Sequence, residues 1–232
     1  FAQVTHSARL LSLDNVFDDA ELDAWYERAK KALGRDVRIV CEPKVDGLSV
    51  AVVYERGELV RGATRGDGAV GEDVTPNVRC VPELPQRLGT SEPPAWLEVR
   101  GEVFMPKADF AAMNARLDED GKPTYANPRN AAAGALRQKD PEVTRSRPLA
   151  LYLHGLVKVE GRRFSTYSEA LAYLASVGLP VHPRMTICDD LGAARAFVAK
   201  MREERHALDH DIDGVVLKLD ELGAQEELGA TA

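Results

Sequence analysis

Four short strings carry side chains suited to covalent chemistry. The first is Glu42-Pro43-Lys44-Val45-Asp46-Gly47, with a lysine at the end of an apolar run, then an acid and a glycine. Gly47 lets the backbone turn sharply or approach a ligand closely. A lysine held there can act as a nucleophile if it loses its proton. At an unperturbed pKa only about 0.1% of lysine is neutral near pH 7.5, so desolvation and neighbouring cations are needed to favour the amine. The string alone also reads as a surface lysine in a turn, since K-x-D-G arises by chance in roughly one chain of this size in twenty. It is followed by Ala63-Thr64-Arg65-Gly66-Asp67-Gly68, then by Glu98-Val99-Arg100-Gly101-Glu102-Val103, and last by Asp211-Ile212-Asp213-Gly214-Val215-Val216-Leu217-Lys218. The series offers a nucleophile, further cations and several carboxylates in a fixed order.

These strings need elements to hold them. Asp18 to Leu33 reads as a helix: Asp18 can cap it, Glu21 follows three residues on, Leu22, Trp25, Ala29 and Leu33 share a face, and Gly34 ends it. Val37–Cys41, Leu48–Tyr54 and Leu59–Thr64 are short, β-branched runs, the last two joined by the turn Glu55-Arg56-Gly57-Glu58. Links this short predict one antiparallel meander of all three. After a Gly-rich loop and several prolines, Trp96–Phe104 resumes as a strand, and Pro106 starts a helix carrying Phe110, Met113 and Leu117. Tyr125–Gln138 is a loop running into an Ala-rich helix. Leu149–Val159 and Ile212–Leu219 are strands, Ser168–Val177 and Leu191–His206 helices, and another helix begins near Leu222. The fold class is α+β, mostly antiparallel sheets flanked by helices.

The bulk composition sets bounds. With 232 residues, 44% of them hydrophobic, the chain can bury a sizeable core. No run is long enough to cross a bilayer, so no membrane partner is expected. Cys41, Cys80 and Cys188 are odd in number and form no C-x-x-C pair, which argues against a zinc ribbon or a disulfide framework and for a reducing compartment. The net charge of −7 speaks against a general nucleic-acid binder, yet Arg129, Arg137, Arg145, Arg147, Arg162 and Arg163 gather in the middle third and allow a local basic face. The chain begins at Phe1 rather than Met and reads as an excised piece.

The four strings, in this order, resemble the motifs of the covalent nucleotidyltransferase superfamily of DNA ligases, RNA ligases and mRNA capping enzymes. Longer strings resemble one branch of it, the bacterial NAD-dependent DNA ligases: Ser12-Leu13-Asp14-Asn15-Val16-Phe17, Thr64 to Asp73, and Asn127-Pro128-Arg129-Asn130-Ala131-Ala132-Ala133-Gly134 through Leu136-Arg137-Gln138. The resemblance spans essentially the whole chain and is similar to that family's adenylation domain. It implies that Lys44 takes AMP from NAD, that AMP then passes to the 5′-phosphate of nicked duplex DNA, and that sealing releases AMP. Such chemistry needs a nucleophile and cations on the phosphate oxygens; by the resemblance Lys218 and Mg²⁺ are suited to depress the Lys44 pKa and favour its amine.

By the same resemblance Glu42 accepts from the adenine amino group, Glu102 holds the ribose hydroxyls, and Arg65 lies near ribose and phosphate. Ser12 and Leu13 join the NAD-binding set. As a residue type alone His154 fits a buried strand histidine better than a stacking platform; its motif position makes it the ring against adenine. Asp46 and Asp213 match acids near the α-phosphate that could hold Mg²⁺ through water, and Arg129 and Arg137 match the pair gripping the 5′-phosphate strand. The family's preceding nicotinamide-mononucleotide domain, its last motif lysine, and its OB, zinc-finger and helix-hairpin domains are not found in these residues. The chain alone is therefore expected to charge itself poorly. A monomer in the bacterial cytoplasm, associated with the nucleoid, is the implied setting. An ATP-dependent polynucleotide ligase, a capping-type nucleotidyltransferase and a non-catalytic adenosine-binding module are the competing readings.

Overall fold

A computed structural model describes residues 1–6, 15–16 and 18–231. Ser12 and Leu13 lie outside the described residues. The strands are β1 (Gln3–Thr5), β2 (Asn15–Val16), β3 (Ile39–Val45), β4 (Leu48–Glu55), β5 (Glu58–Thr64), β6 (Val70–Glu72), β7 (Trp96–Phe104), β8 (Ala150–Glu160), β9 (Thr186–Cys188) and β10 (Ile212–Leu219). The helices are α1 (Asp19–Leu33), α2 (Thr75–Val78), α3 (Lys107–Glu119), α4 (Pro128–Leu136), α5 (Pro141–Arg145), α6 (Tyr167–Ser176), α7 (Leu191–Glu204) and α8 (Leu222–Thr231).

The local signals have physical counterparts. Asp18 Oδ1 accepts from the Glu21 amide at 2.8 Å, and Gly34 ends α1 in the left-handed conformation with its amide on the Lys30 carbonyl. Arg56 and Gly57, both at positive φ, make the tight turn between β4 and β5.

The strands form a sheet ordered β2-β10-β3-β9, a second ordered β5-β4-β7-β8, and a small β1-β6 ladder. All the ladders within these sheets are antiparallel. The expected meander is corrected here: β4 pairs with β5 and β7, whereas β3 pairs with β10 and β9. The Asp46-Gly47 link does not close a hairpin; it carries the chain from one sheet to the other. The Asp46 amide bonds the Asp211 carbonyl beside β10, while Gly47 lies so close to β7 that a Cβ there would run into the Val103 carbonyl. Only glycine permits that crossing.

Side-chain alternation then divides the core. Ile39 and Cys41 on β3, and Leu217 and Leu219 on β10, pack under Leu22, Trp25, Phe197 and Met201 from α1 and α7. On the second sheet Val50, Val52, Leu97, Val99, Leu151 and Leu153 join a separate cluster with Leu136 from α4 and Leu171 and Leu174 from α6. The intervening positions, Glu42, Lys44, Glu102, Tyr152 and His154 among them, belong to neither cluster and line a common cavity. Among the described residues no helix is long and apolar enough to cross a membrane.

Candidate active site

Both sheets contribute to a cavity of about 450 Å³, within the usual range for a small-molecule site. The first sheet supplies Glu42, Lys44, Asp46, Asp213 and Val216; the second supplies Ser49, Thr64, Glu102, Tyr152 and His154, with Arg65, Arg129 and Arg137 also in the wall. Residues separated by more than a hundred positions thus meet because the chain passes from one sheet to the other at Asp46-Gly47.

Lys44 and Glu42 share one face of β3. The Lys44 side chain is 27% exposed, and its Nζ lies 3.7 Å from Asp213 Oδ2. Asp213 reaches it from the neighbouring strand through a register irregularity between Ile212 and Val215, where Gly214 adopts φ 106°. A bulge of this kind re-aims a side chain that a regular ladder would turn elsewhere. Asp46 Oδ1 is 3.8 Å from Arg129 Nη1. Burial pushes the Asp46 carboxyl above its ordinary pKa; Arg129 draws it down, and Asp213, Asp211 and Glu102 push it up again.

Opposite, His154 Nε2 is 3.4 Å from Glu102 Oε2, while His154 Nδ1 and Glu42 Oε2 are buried without a hydrogen-bond partner. Buried polar atoms without a hydrogen bond are costly; Glu42 Oε2 is offset in part by the Lys218 ammonium 3.3 Å away. Arg65 is carried by a loop that His6 holds: its Nε2 lies 3.0 Å from the Thr64 carbonyl and 3.2 Å from that of Arg65. Asp67 accepts from the amides of Ala69 and Val70 at 2.8 Å and shapes the same turn.

Arg129 and Arg137 bracket α4, which Asn127 caps through the Asn130 amide. Arg129 sits in its first turn, Arg137 is its C-terminal cap, and both reach the cavity; Arg137 Nη2 pairs with Glu72 Oε1 at 2.7 Å. The other middle-third arginines do not add to this rim. Arg145 pairs with Glu142, and Arg162 stacks 4.1 Å from the Tyr173 ring centroid.

The sequence makes Lys218 a cation that favours the Lys44 amine and a member of the nucleotide-binding set. It does not line the cavity; it lies behind Glu42, donating to the Tyr167 hydroxyl at 2.8 Å and to the His154 carbonyl, with its Nζ 3.3 Å from Glu42 Oε2. Burial holds its pKa below the ordinary lysine value, against the pull of Glu42. Tyr152 and His182 also line the cavity, and Tyr167 stands behind it. None of the three carried a sequence signal. His182 and Tyr167 become visible only through contacts with residues remote in the chain.

The fold is one that ATP-dependent RNA ligases share. An archaeal ATP-dependent RNA ligase superposes with a TM-score of 0.53 at 20% identity, covering 92% of this chain and 46% of that one. A second form of an archaeal ATP-dependent RNA ligase gives 0.50 at 18% identity, with the same coverage. Residues 1–232 match the model of the NAD-dependent DNA ligase adenylation domain, and the chain belongs to this family. A DNA ligase of Thermobifida fusca (strain YX) is 49% identical over 234 residues, covering 100% of this chain. The chain spans 31% of the length of that relative.

Proposed function

We propose that this chain is the AMP-accepting part of an NAD-dependent DNA ligase and that Lys44 is its nucleophile. The observation that carries the reading is the placement of Lys44 and Glu42 on one face of β3, across one cavity from Glu102 and His154. In this reading Glu42 accepts from the adenine amine, His154 lies against the base, and Glu102 receives the ribose hydroxyls. Glu42 supports the first of these roles because it lines the cavity and its Oε2 has an ion pair with Lys218 but no hydrogen bond.

The Lys44 nitrogen attacks the α-phosphorus of NAD. An N–P bond forms as the P–O bond to nicotinamide mononucleotide breaks, and the amine sheds a proton. Asp213, already paired with the lysine, is positioned to receive it. Arg65 meets the phosphate side of the nucleotide. Among the described residues no three His, Cys, Asp or Glu side chains form a metal cage. A hydrated Mg²⁺ needs no such cage, because it keeps most of its waters and takes one or two carboxylates. Asp46 and Asp213 fit that role through water, and the ion would neutralise charge on the phosphate oxygens. Arg129 and Arg137 then grip the 5′-phosphate strand of nicked DNA, the acceptor in the second step. The setting implied is the cytoplasm of a bacterium.

Intact mass of the purified chain after separate incubation with NAD, ATP and GTP, each with Mg²⁺, tests the donor. Slow gain of one adenylate from NAD alone is expected. Charging by ATP but not NAD, or a guanylate adduct, would overturn the assignment.

A further inference from the structure

Helix α6 is fastened to the end of β10. Thr166 caps it through the Glu169 amide, the Tyr167 amide bonds the Asp220 carbonyl at 2.6 Å, and the Ser168 amide bonds Asp220 Oδ1 at 2.9 Å. Asp220 is 1% exposed, so this fastening is shielded from water. It brings the ring of Tyr167, 2% exposed, beneath the strand that carries Lys218.

The Tyr167 hydroxyl lies 2.9 Å from Glu42 Oε1 and 2.7 Å from the His154 carbonyl, and it accepts from Lys218 Nζ at 2.8 Å. Burial and the nearby Glu42 carboxylate push the phenol well above its ordinary pKa, so it stays a donor. Its single proton faces both acceptors and favours the charged Glu42 oxygen over the neutral carbonyl; the other Glu42 oxygen has no hydrogen bond, although Lys218 is 3.3 Å from it. A carboxylate with a lysine beside it and no second donor would turn towards the cation. The phenol supplies that second donor and fixes the plane of the carboxylate.

We propose that Tyr167 is a positioning residue of the base pocket: its hydroxyl holds Glu42 against the pull of Lys218, and so sets the preference for a purine bearing a 6-amino group. The inference rests on the reading of Glu42 as the adenine acceptor and adds to it a residue that never touches the ligand. Without the hydroxyl, Lys218, already 3.3 Å from Oε2, draws Glu42 away from the base.

Calorimetric titration of the chain with AMP and with purine riboside 5′-monophosphate, which lacks the 6-amine, tests this in wild type and Tyr167→Phe. The variant should bind AMP about three- to tenfold more weakly, the worth of one hydrogen bond, and should bind the 6-unsubstituted analogue as wild type does. A general loss of packing would weaken both ligands equally, and that result overturns the proposal. If Tyr167→Phe does not fold, Glu42→Gln takes its place: its loss should likewise be confined to AMP, and equal loss for both ligands removes the acceptor that Tyr167 is said to hold. Unchanged AMP affinity in Tyr167→Phe refutes the role of Tyr167 alone, whereas no AMP binding by wild type refutes the reading of the site and this inference with it.

Discussion

Lys44 Nζ and Asp213 Oδ2 face each other at 3.7 Å across two neighbouring strands, and the bulge beside Gly214 is what lets them meet. In the proposed function the pair combines a nucleophile with an acceptor for the proton it must shed. Its partners are partly exposed, so the ion pair itself contributes little to stability; its value lies in placement. Lys44→Arg in the parent enzyme should therefore keep the fold and abolish AMP attachment, since a guanidinium stays protonated and cannot attack. Adenylate labelling of a folded Lys44→Arg protein at the wild-type level would remove Lys44 from the mechanism.

The base pocket should respond to two further truncations. Glu42→Ala removes a charge-assisted acceptor, typically worth about 1.5–3 kcal/mol. His154→Ala removes a ring whose stacking is worth roughly 1–3 kcal/mol by analogy with base stacking on aromatic side chains. Both should weaken AMP binding measured by calorimetry. Unchanged affinity in both variants would mean that the base lies elsewhere in the cavity.

Arg129 and Arg137 are paired with Asp46 and Glu72 at 3.8 and 2.7 Å, at the edge of the same cavity. Phosphate contacts position a strand without reading its bases. Alanine at either position in the parent enzyme should leave self-adenylation intact and slow the transfer of AMP to a nicked duplex. Single-turnover reactions started from adenylated enzyme separate the two steps. Normal sealing with lost self-adenylation would reverse the assignment.

Gly47→Ala tests the crossing between the sheets. The added methyl would meet the backbone carbonyl of Val103 and lie 3.2 Å from the Glu102 side chain. Backbone cannot yield as a flexible side-chain tip does, so overpacking of about 1–3 kcal/mol is expected. Chemical denaturation should show that loss, and AMP affinity should fall because Glu102 shifts. Wild-type stability in Gly47→Ala would show that the close approach is dispensable.

Much of this site was legible along the chain because its residues sit in short strings. Glu42 and Lys44 are two apart on β3, with Asp46 just past its end, and alternation alone turns Glu42 and Lys44 the same way. Helix α1 was legible for a similar reason, its cap and its terminating glycine being local. Sheet partnership was not: the two-residue link after Val45 has the length of a hairpin, and only the contact of Gly47 with Val103 reveals a crossing. Tyr167 was hidden for the same reason. Its hydroxyl finds Glu42 across 125 positions, and no periodicity within α6 encodes that. The motif of Lys218 did not encode its surroundings: it packs behind Glu42 because a buried ammonium takes the nearest acceptors, here the Tyr167 hydroxyl and the His154 carbonyl.

His182, in the cavity wall, titrates in a defined direction. Its Nδ1 accepts from the Arg184 amide at 3.0 Å, so the neutral ring carries its proton on Nε2 and donates to His210 Nε2 at 3.0 Å. His210 in turn donates from Nδ1 to Asp209 at 2.5 Å. Protonating His182 would put a hydrogen where the Arg184 amide already points. Burial, with His210 alongside, lowers its pKa to about 4, while Asp209 pulls the other way. The unfolded chain protonates this histidine near pH 6.5 and the folded chain only near 4. Above 6.5 both states are neutral and the group has no effect. As pH falls from 6.5 to 4 the unfolded state gains the proton first, so stability is lost through that window, on the order of 3 kcal/mol in all. His182→Gln keeps a donor for His210 and cannot titrate. Denaturant melts at pH 7.5, 5.5 and 4.5 should show a shallower decline for the variant than for wild type. Parallel declines would mean that His182 protonates alike in the folded and unfolded chain, and that the Arg184 amide does not fix its tautomer.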